Sequence, residues 1–314
     1  MKQFDRFLVA YNQLDNVRSD GRGGNVLLEC LKFLAVLVFA GVTQTILANL
    51  LVYTYMLTAG ATGFTDASGT AGIIISLFST FGMIGATMLA LRFAFKRELS
   101  TAGFTKPFWS EYGLGLLAGF AVFALAVGIA AAAGTLTIAG ISPDFSPLPW
   151  LLIFVGFLVQ GMSEELLCRG MFMINIARKN SVAAAIFCNA LFFAALHLLN
   201  NGIAPLALVN LFLFGVFASL YYLWRGNIWG IAAFHSIWNF AQGNVFGILV
   251  SGGEFGTSLL SSNADPAGAL INGGSFGLEG GLAVTAVLVL GIAFVMWRNL
   301  HRLAGTPMPL EGME

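Results

Sequence analysis

Three short polar clusters stand inside otherwise apolar stretches of this chain, and their residue types are those of acid–base chemistry. The first is Ser163-Glu164-Glu165-Leu166-Leu167-Cys168-Arg169, the second is the lone imidazole of Phe193-Ala194-Ala195-Leu196-His197, and the third is His235-Ser236-Ile237-Trp238-Asn239. An ionisable group at bilayer depth costs about 2.5–3.5 kcal/mol or more, so such residues persist where they pair or where they work. Glu165 and Arg169 are four apart, on one helix face and acidic before basic, so they can neutralise each other. Glu164 is then left without a partner in its own helix. A network that merely pins two helices needs one carboxylate per arginine; a second, adjacent carboxylate exceeds that need and suits a general base.

His197 has only Leu191, Phe192, Phe193 and Leu198 around it in sequence, so a polar partner must come from another helix. With a turn near 179–180, an antiparallel hairpin at about 1.5 Å per residue puts Glu164 and His197 nearly level. His235 and Asn239 are four apart and share a helix face. Both can offer N–H donors to one point, the arrangement wanted for a developing oxyanion. Cys168, one turn after Glu164, is a competing nucleophile in principle; a membrane-embedded cysteine is ordinarily a small apolar residue, and Cys30 and Cys188 read the same way.

The elements that must position these groups are membrane helices. Of the 314 residues, 58% are hydrophobic and 10% charged, against about a quarter charged in soluble domains, which excludes a water-soluble globular fold. Lys plus Arg (15) cancels Asp plus Glu (15), and no basic patch invites nucleic acid. Eight runs are long enough to span hydrocarbon, at roughly 26–57, 71–95, 112–139, 150–177, 181–199, 203–223, 228–250 and 280–297. The expectation is an all-α polytopic bundle: one membrane domain over 26–297 with a polar intramembrane cavity and a catalytic core at about 150–250, a cytoplasmic segment at 1–25 and a cytoplasmic tail at 298–314.

The basic residues support that count. With the start inside, Lys2, Arg6, Arg18, Arg22, Lys32, Arg92, Lys96, Arg97, Lys106, Arg169, Arg178, Lys179, Arg225, Arg298 and Arg302 all fall on one side. The loops near 58–70, 140–149, 200–202 and 251–279 contain no Lys or Arg. Both termini are therefore expected in the cytoplasm, and the membrane is expected to be the cell (inner) membrane. Ser181 is placed to cap the fifth helix and Pro205 to open the sixth. Gly115 and Gly119 form a small-residue contact face. The stretch 251–279, rich in Gly, Ser and Asn, reads as a flexible or re-entrant external loop.

The signatures Glu164-Glu165-x-x-x-Arg169, Phe193-x-x-x-His197 and His235-x-x-x-Asn239, in that order, resemble the CPBP family: type II (Rce1-like) CAAX prenyl proteases and bacteriocin-processing or immunity proteins of the Abi group. The resemblance covers about 150–250 closely; Asn239-Phe240-Ala241-Gln242-Gly243 and the stretch from Gly273-Gly274 to Glu279-Gly280 are similar to bacterial members with lower specificity. It implies an intramembrane endopeptidase in which Glu164 and His197 activate a water, His235 and Asn239 hold the oxyanion, and Glu165 with Arg169 orient the site. His-Glu-x-x-His is absent, and Glu164, His197 and His235 can either ligate a divalent metal such as zinc or act without one; the reading here favours the metal-free, glutamate-based route. The expected partners are the lipid bilayer and a peptide or protein substrate, prenylated or membrane-tethered, cut on the cytoplasmic side. The alternative is a non-catalytic immunity or scaffold protein of the same fold, or an ion-coupled carrier using Glu and His as a relay.

Overall fold

The computed structural model describes residues 25–59, 69–178 and 180–304, with side chains as far as Arg298. The segment expected in the cytoplasm up to residue 24, most of the 58–70 loop, Lys179, the tail from 305 and the side chains of His301 and Arg302 lie outside the described residues. Eight helices follow where the apolar runs lie: α1 (Val26–Ala59), α2 (Gly69–Ala94), α3 (Phe108–Ala132), α4 (Pro147–Ala177), α5 (Val182–Ala195), α6 (Pro205–Arg225), α7 (Trp229–Phe240) and α8 (Leu282–Ala304). Five of these, α1 to α4 and α6, are long and apolar enough to cross a membrane.

Two helices fall short of the expected spans. Helix α5 has 14 residues and α7 has 12, about 21 Å and 18 Å at 1.5 Å per residue against a hydrocarbon core of about 30 Å. Beyond Ala195 the chain makes turns through 196–202, and beyond α7 it passes through a π-turn at Ala241–Val245 into extended chain. Helix α5 therefore stops short of its expected span, while α7 continues as π-helix to Val245. Helix α3 likewise stops at Ala132 rather than 139. Its expected last turns form strand β1 (Leu136–Ile141), which pairs antiparallel with β2 (Leu260–Ala264). An apolar run with Thr137, Ile138 and Ile141 suits a strand as well as a helix, and only the distant partner decides.

Helix α7 is wedged between α3 and α4 through glycines. A Cβ on Gly115 would run into the Gly230 carbonyl, one on Gly119 into Phe234 and Ile237, and one on Gly161 into Ser236. The expected contact face is thus the seat of the helix that carries His235 and Asn239. Trp238 fills the other side of α7, ring to ring with Phe123, Phe214 and Phe234.

The 251–279 stretch, expected to be flexible or re-entrant, is tied down by hydrogen bonds, which sets aside the flexible alternative. Asn244 Nδ2 donates to the carbonyls of Phe255 (2.7 Å) and Thr257 (2.8 Å), and Asn272 Nδ2 donates to those of Thr135 and Asp265 (both 2.8 Å). Asn210 of α6 holds the carbonyls of Glu279 (2.8 Å) and Gly281 (2.9 Å). Gly277, at φ 88°, sits where a side chain would meet the Leu249 carbonyl. Asn and Gly here tie the backbone down rather than free it. Ser181 does cap α5, accepting from Ala184 N at 3.1 Å, and Pro205 opens α6.

The ends of the bundle differ in charge. At one end Lys32 of α1, Lys96 after α2 and Arg178 after α4 border a common recess, Arg97 bonds the Gly170 carbonyl (3.1 Å), and the 103–105 segment bonds Ile228 N (3.0 Å) and Trp229 Nε1 (2.7 Å). At the other end β1 pairs with β2, Asn200 Nδ2 reaches the Ser251 carbonyl (3.1 Å), and Gly202 packs on Ser275. The connections 133–146, 196–204 and 246–281 at that end carry no Lys or Arg.

Replacing Gly115 by valine should cost about 1–3 kcal/mol or more by overpacking the α3–α7 seam, read as a fall in the melting temperature of detergent-solubilised protein. Gly113→Ala, where an added Cβ meets nothing within 4 Å, should leave it unchanged.

Candidate active site

Helix α4 presents Gln160, Glu164, Glu165 and Arg169 over less than three turns, and changes register just beyond the carboxylates, with a π-helical stretch at Leu166–Met173. Such departures from α geometry cluster at functional sites. The carbonyls in this stretch find outside partners: Arg97 bonds those of Gly170 (3.1 Å) and Met171 (3.4 Å), and Asn189 reaches that of Cys168.

Glu165 and Arg169 form the expected ion pair, with Arg169 Nη1 donating to Glu165 Oε1 at 3.0 Å and both side chains 0% exposed. The pair is not self-contained. His235 Nδ1 from α7 lies 2.8 Å from the same Oε1. The Arg169 guanidinium stacks 4.5 Å from the Phe193 ring centroid on α5. Asn189, with its amide nitrogen toward the Cys168 carbonyl (2.9 Å), accepts from Ser219 Oγ (2.9 Å) and Arg169 Nε (3.3 Å). Glu165 Oε2 and Arg169 Nη2 have no hydrogen-bond partners. One buried charge pair thus joins α4, α5, α6 and α7.

Glu164 points the other way. Its side chain is 27% exposed into a cavity of about 540 Å³, and its Oε2 lies 3.8 Å from His235 Nε2. Contrary to expectation it has a partner in its own helix: Gln160, one turn earlier, donates to Glu164 Oε1. Gln160 Oε1 in turn accepts from Asn239 Nδ2 at 3.2 Å. His197 lies just past the end of α5, its Nδ1 2.8 Å from the Phe193 carbonyl of its own helix. Glu164, His197, His235 and Asn239 all line the one cavity; Glu165 and Arg169 sit behind it, and Cys168 is buried outside its lining.

Sequence reasoning missed several polar lining residues, Gln160 and Glu279 among them. Gln160 carried a signal, since it stands four before Glu164 on the same face. Glu279 was marked only as the end of the Gly-rich stretch that resembles bacterial members: it lies far along the chain, and only the fold brings its Oε1 to Trp238 Nε1 (3.1 Å) and its Oε2 to Ser251 N (2.9 Å) and Oγ (2.7 Å).

Among the described residues, no three His, Cys, Asp or Glu side chains converge to hold a metal ion. A catalytic zinc takes three protein ligands at about 2.0–2.3 Å. The arrangement of Glu164, His197 and His235 does not meet that requirement.

The structure is a helical bundle of membrane-spanning type with a polar cavity lined from α4, α5 and α7. Residues 146–241 match the family model described as Type II CAAX prenyl endopeptidase Rce1-like. The match runs from the residue before α4 to the residue after α7 and includes all six residues singled out above. No curated protein and no solved structure shows a significant match to the chain.

Glu165→Gln should strand Arg169 in the core and lower stability by about 3–5 kcal/mol, the usual cost of breaking a buried pair from one side. Glu165→Leu combined with Arg169→Met should recover a large part of that loss in the same melting assay.

Proposed function

We propose that this protein is an intramembrane endopeptidase in which Glu164 is the general base that activates the attacking water. The observation that carries this reading is the placement of Glu164: partly exposed to the cavity, held by Gln160, and 3.8 Å from His235 Nε2. A water bonded to Glu164 Oε2 would stand beside His235 and face the cavity that admits the substrate carbonyl. Glu164 takes the proton as the water attacks and passes it to the leaving amine; His197, on the same cavity wall, assists the transfer.

His235 and Asn239 serve the oxyanion. For that role His235 carries a proton on Nε2 while Nδ1–H donates to Glu165, and the flanking carboxylates of Glu164 and Glu165 supply the counter-charge for such an imidazolium. Asn239 spends one amide N–H on Gln160 and keeps the second for the developing oxygen. Glu165 and Arg169 are positioning residues that fix the His235 ring. The site works within the chemistry of its own side chains, without a metal.

The cavity wall explains why a lipid-modified or membrane-tethered peptide suits the site. Its lining also includes apolar side chains, Leu77, Met83, Leu211, Val284 and Leu288, so a prenyl group or a transmembrane stem has somewhere to lie while the peptide bond reaches Glu164. The protein resides in the cell (inner) membrane with both termini in the cytoplasm.

Glu164→Gln keeps shape but removes the basic carboxylate, so kcat/KM on a membrane-tethered peptide should fall by about 10²–10⁴-fold or more with the melting temperature nearly unchanged. Asn239→Ala should lower kcat by about 10²–10³-fold. Cys168→Ala and treatment with a strong chelator should leave most activity; loss on chelation that zinc restores would overturn the metal-free route.

A further inference from the structure

Two observations concern the side from which the cavity is reached. The cavity is lined at its rim by Leu199, Asn200 and Asn201 of the α5–α6 connection and by Ser251, Gly252 and Gly253 of the α7–α8 connection. Leu199 is 97% exposed and Asn201 is exposed, so this rim is the mouth. All six residues belong to the end of the bundle where β1 pairs with β2. No residue of the opposite end, from the 96–107, 178–181 or 226–228 connections, lines the cavity.

The basic residues are arranged the other way round. Arg92, Lys96, Arg97, Lys106, Arg178, Arg225 and Arg298 all lie at or near the closed end, and the connections at the mouth carry Asp144, Glu254, Asp265 and Glu279 with no Lys or Arg. Basic connections stay in the cytoplasm and connections without them are translocated. The mouth therefore faces away from the cytoplasm.

We infer that the site is loaded from the extracytoplasmic side, and that its substrate is the extracytoplasmic juxtamembrane segment of a membrane-tethered peptide or protein. This rests on the protease reading above and replaces the cytoplasmic cleavage expected from the sequence. The lining fits an internal segment rather than a free chain end. It offers the carboxylates of Glu164 and Glu279 and no Lys or Arg, and the imidazolium assigned to His235 is already held between Glu164 and Glu165, so a C-terminal carboxylate finds no uncompensated cation, whereas a neutral or basic segment meets no repulsion. Access from this side also fits the early stop of α5: the turns missing after Ala195 leave room at the rim for an extended peptide to descend to Glu164.

The test is made on the full-length protein in cells, with Cys30, Cys168 and Cys188 replaced by alanine and single cysteines introduced. A membrane-impermeant maleimide added to spheroplasts should label Asn201→Cys and Leu199→Cys at the mouth, and should label Lys106→Cys at the closed end only after permeabilisation. The two mouth positions guard against one variant failing to fold. The reverse pattern, Lys106→Cys labelled from outside and both mouth cysteines protected, would overturn the inference. A second arm co-expresses two single-pass reporters, one with its cleavable juxtamembrane segment outside and one with it inside. Glu164-dependent cutting of the outside reporter supports the inference. Cutting of the inside reporter alone overturns the substrate assignment while leaving the protease reading standing. Cutting of neither removes the protease reading and the substrate assignment with it, while the labelling still decides where the mouth lies.

Discussion

The buried charge pair of Glu165 and Arg169 is the constraint on which the rest of the site depends. Both side chains are fully buried, and each charge taken out of water costs several kcal/mol, so the pair is tolerable only while partners surround it. His235, Asn189, Ser219 and the face of Phe193 supply most of them from three other helices, leaving Glu165 Oε2 and Arg169 Nη2 without a hydrogen bond. The consequence for chemistry is orientation. With Nδ1 committed to Glu165, the His235 ring has one direction in which to turn Nε2, and that direction is toward Glu164. Adjacent carboxylates on one helix thus take opposite positions, one sealed and structural, the other facing the cavity as the proposed base.

Packing makes this geometry reproducible. The glycines that let α7 close on α3 and α4 set the distance between Glu164 and His235 as surely as any hydrogen bond does, because a single Cβ at Gly161 would push the two helices apart. The π-helical stretch after Glu165 adds a second adjustment. Its carbonyls are claimed by Arg97 and Asn189, so the irregularity is held rather than left to fluctuate. On the far side Glu279 knits α7 to the 246–281 connection through Trp238 and Ser251, turning a Gly- and Asn-rich stretch into a rigid wall of the cavity.

What was legible in the sequence follows from how local each signal is. Glu165–Arg169 was readable because an i,i+4 pair needs only one helix, and Ser181 and Pro205 because caps act within a turn. Gly115 and Gly119 announced a contact face but not its partner. The places where α3 and α5 stop were hidden, since an apolar run looks alike whether it continues as helix, turns at 196–202 or pairs as β1 with residues more than a hundred positions away. Glu279 was hidden for the same reason. Gln160 was in plain view as the residue one turn before Glu164.

The central claim is that water, activated by Glu164, attacks the scissile carbonyl directly. Hydrolysis over many turnovers in ¹⁸O-enriched water, followed by mass spectrometry of both the product and the protein, tests it. The account predicts label in the new carboxylate of the product and none in the Glu164 side chain. Label accumulating in Glu164 would show that the carboxylate had itself become acylated, and would contradict it.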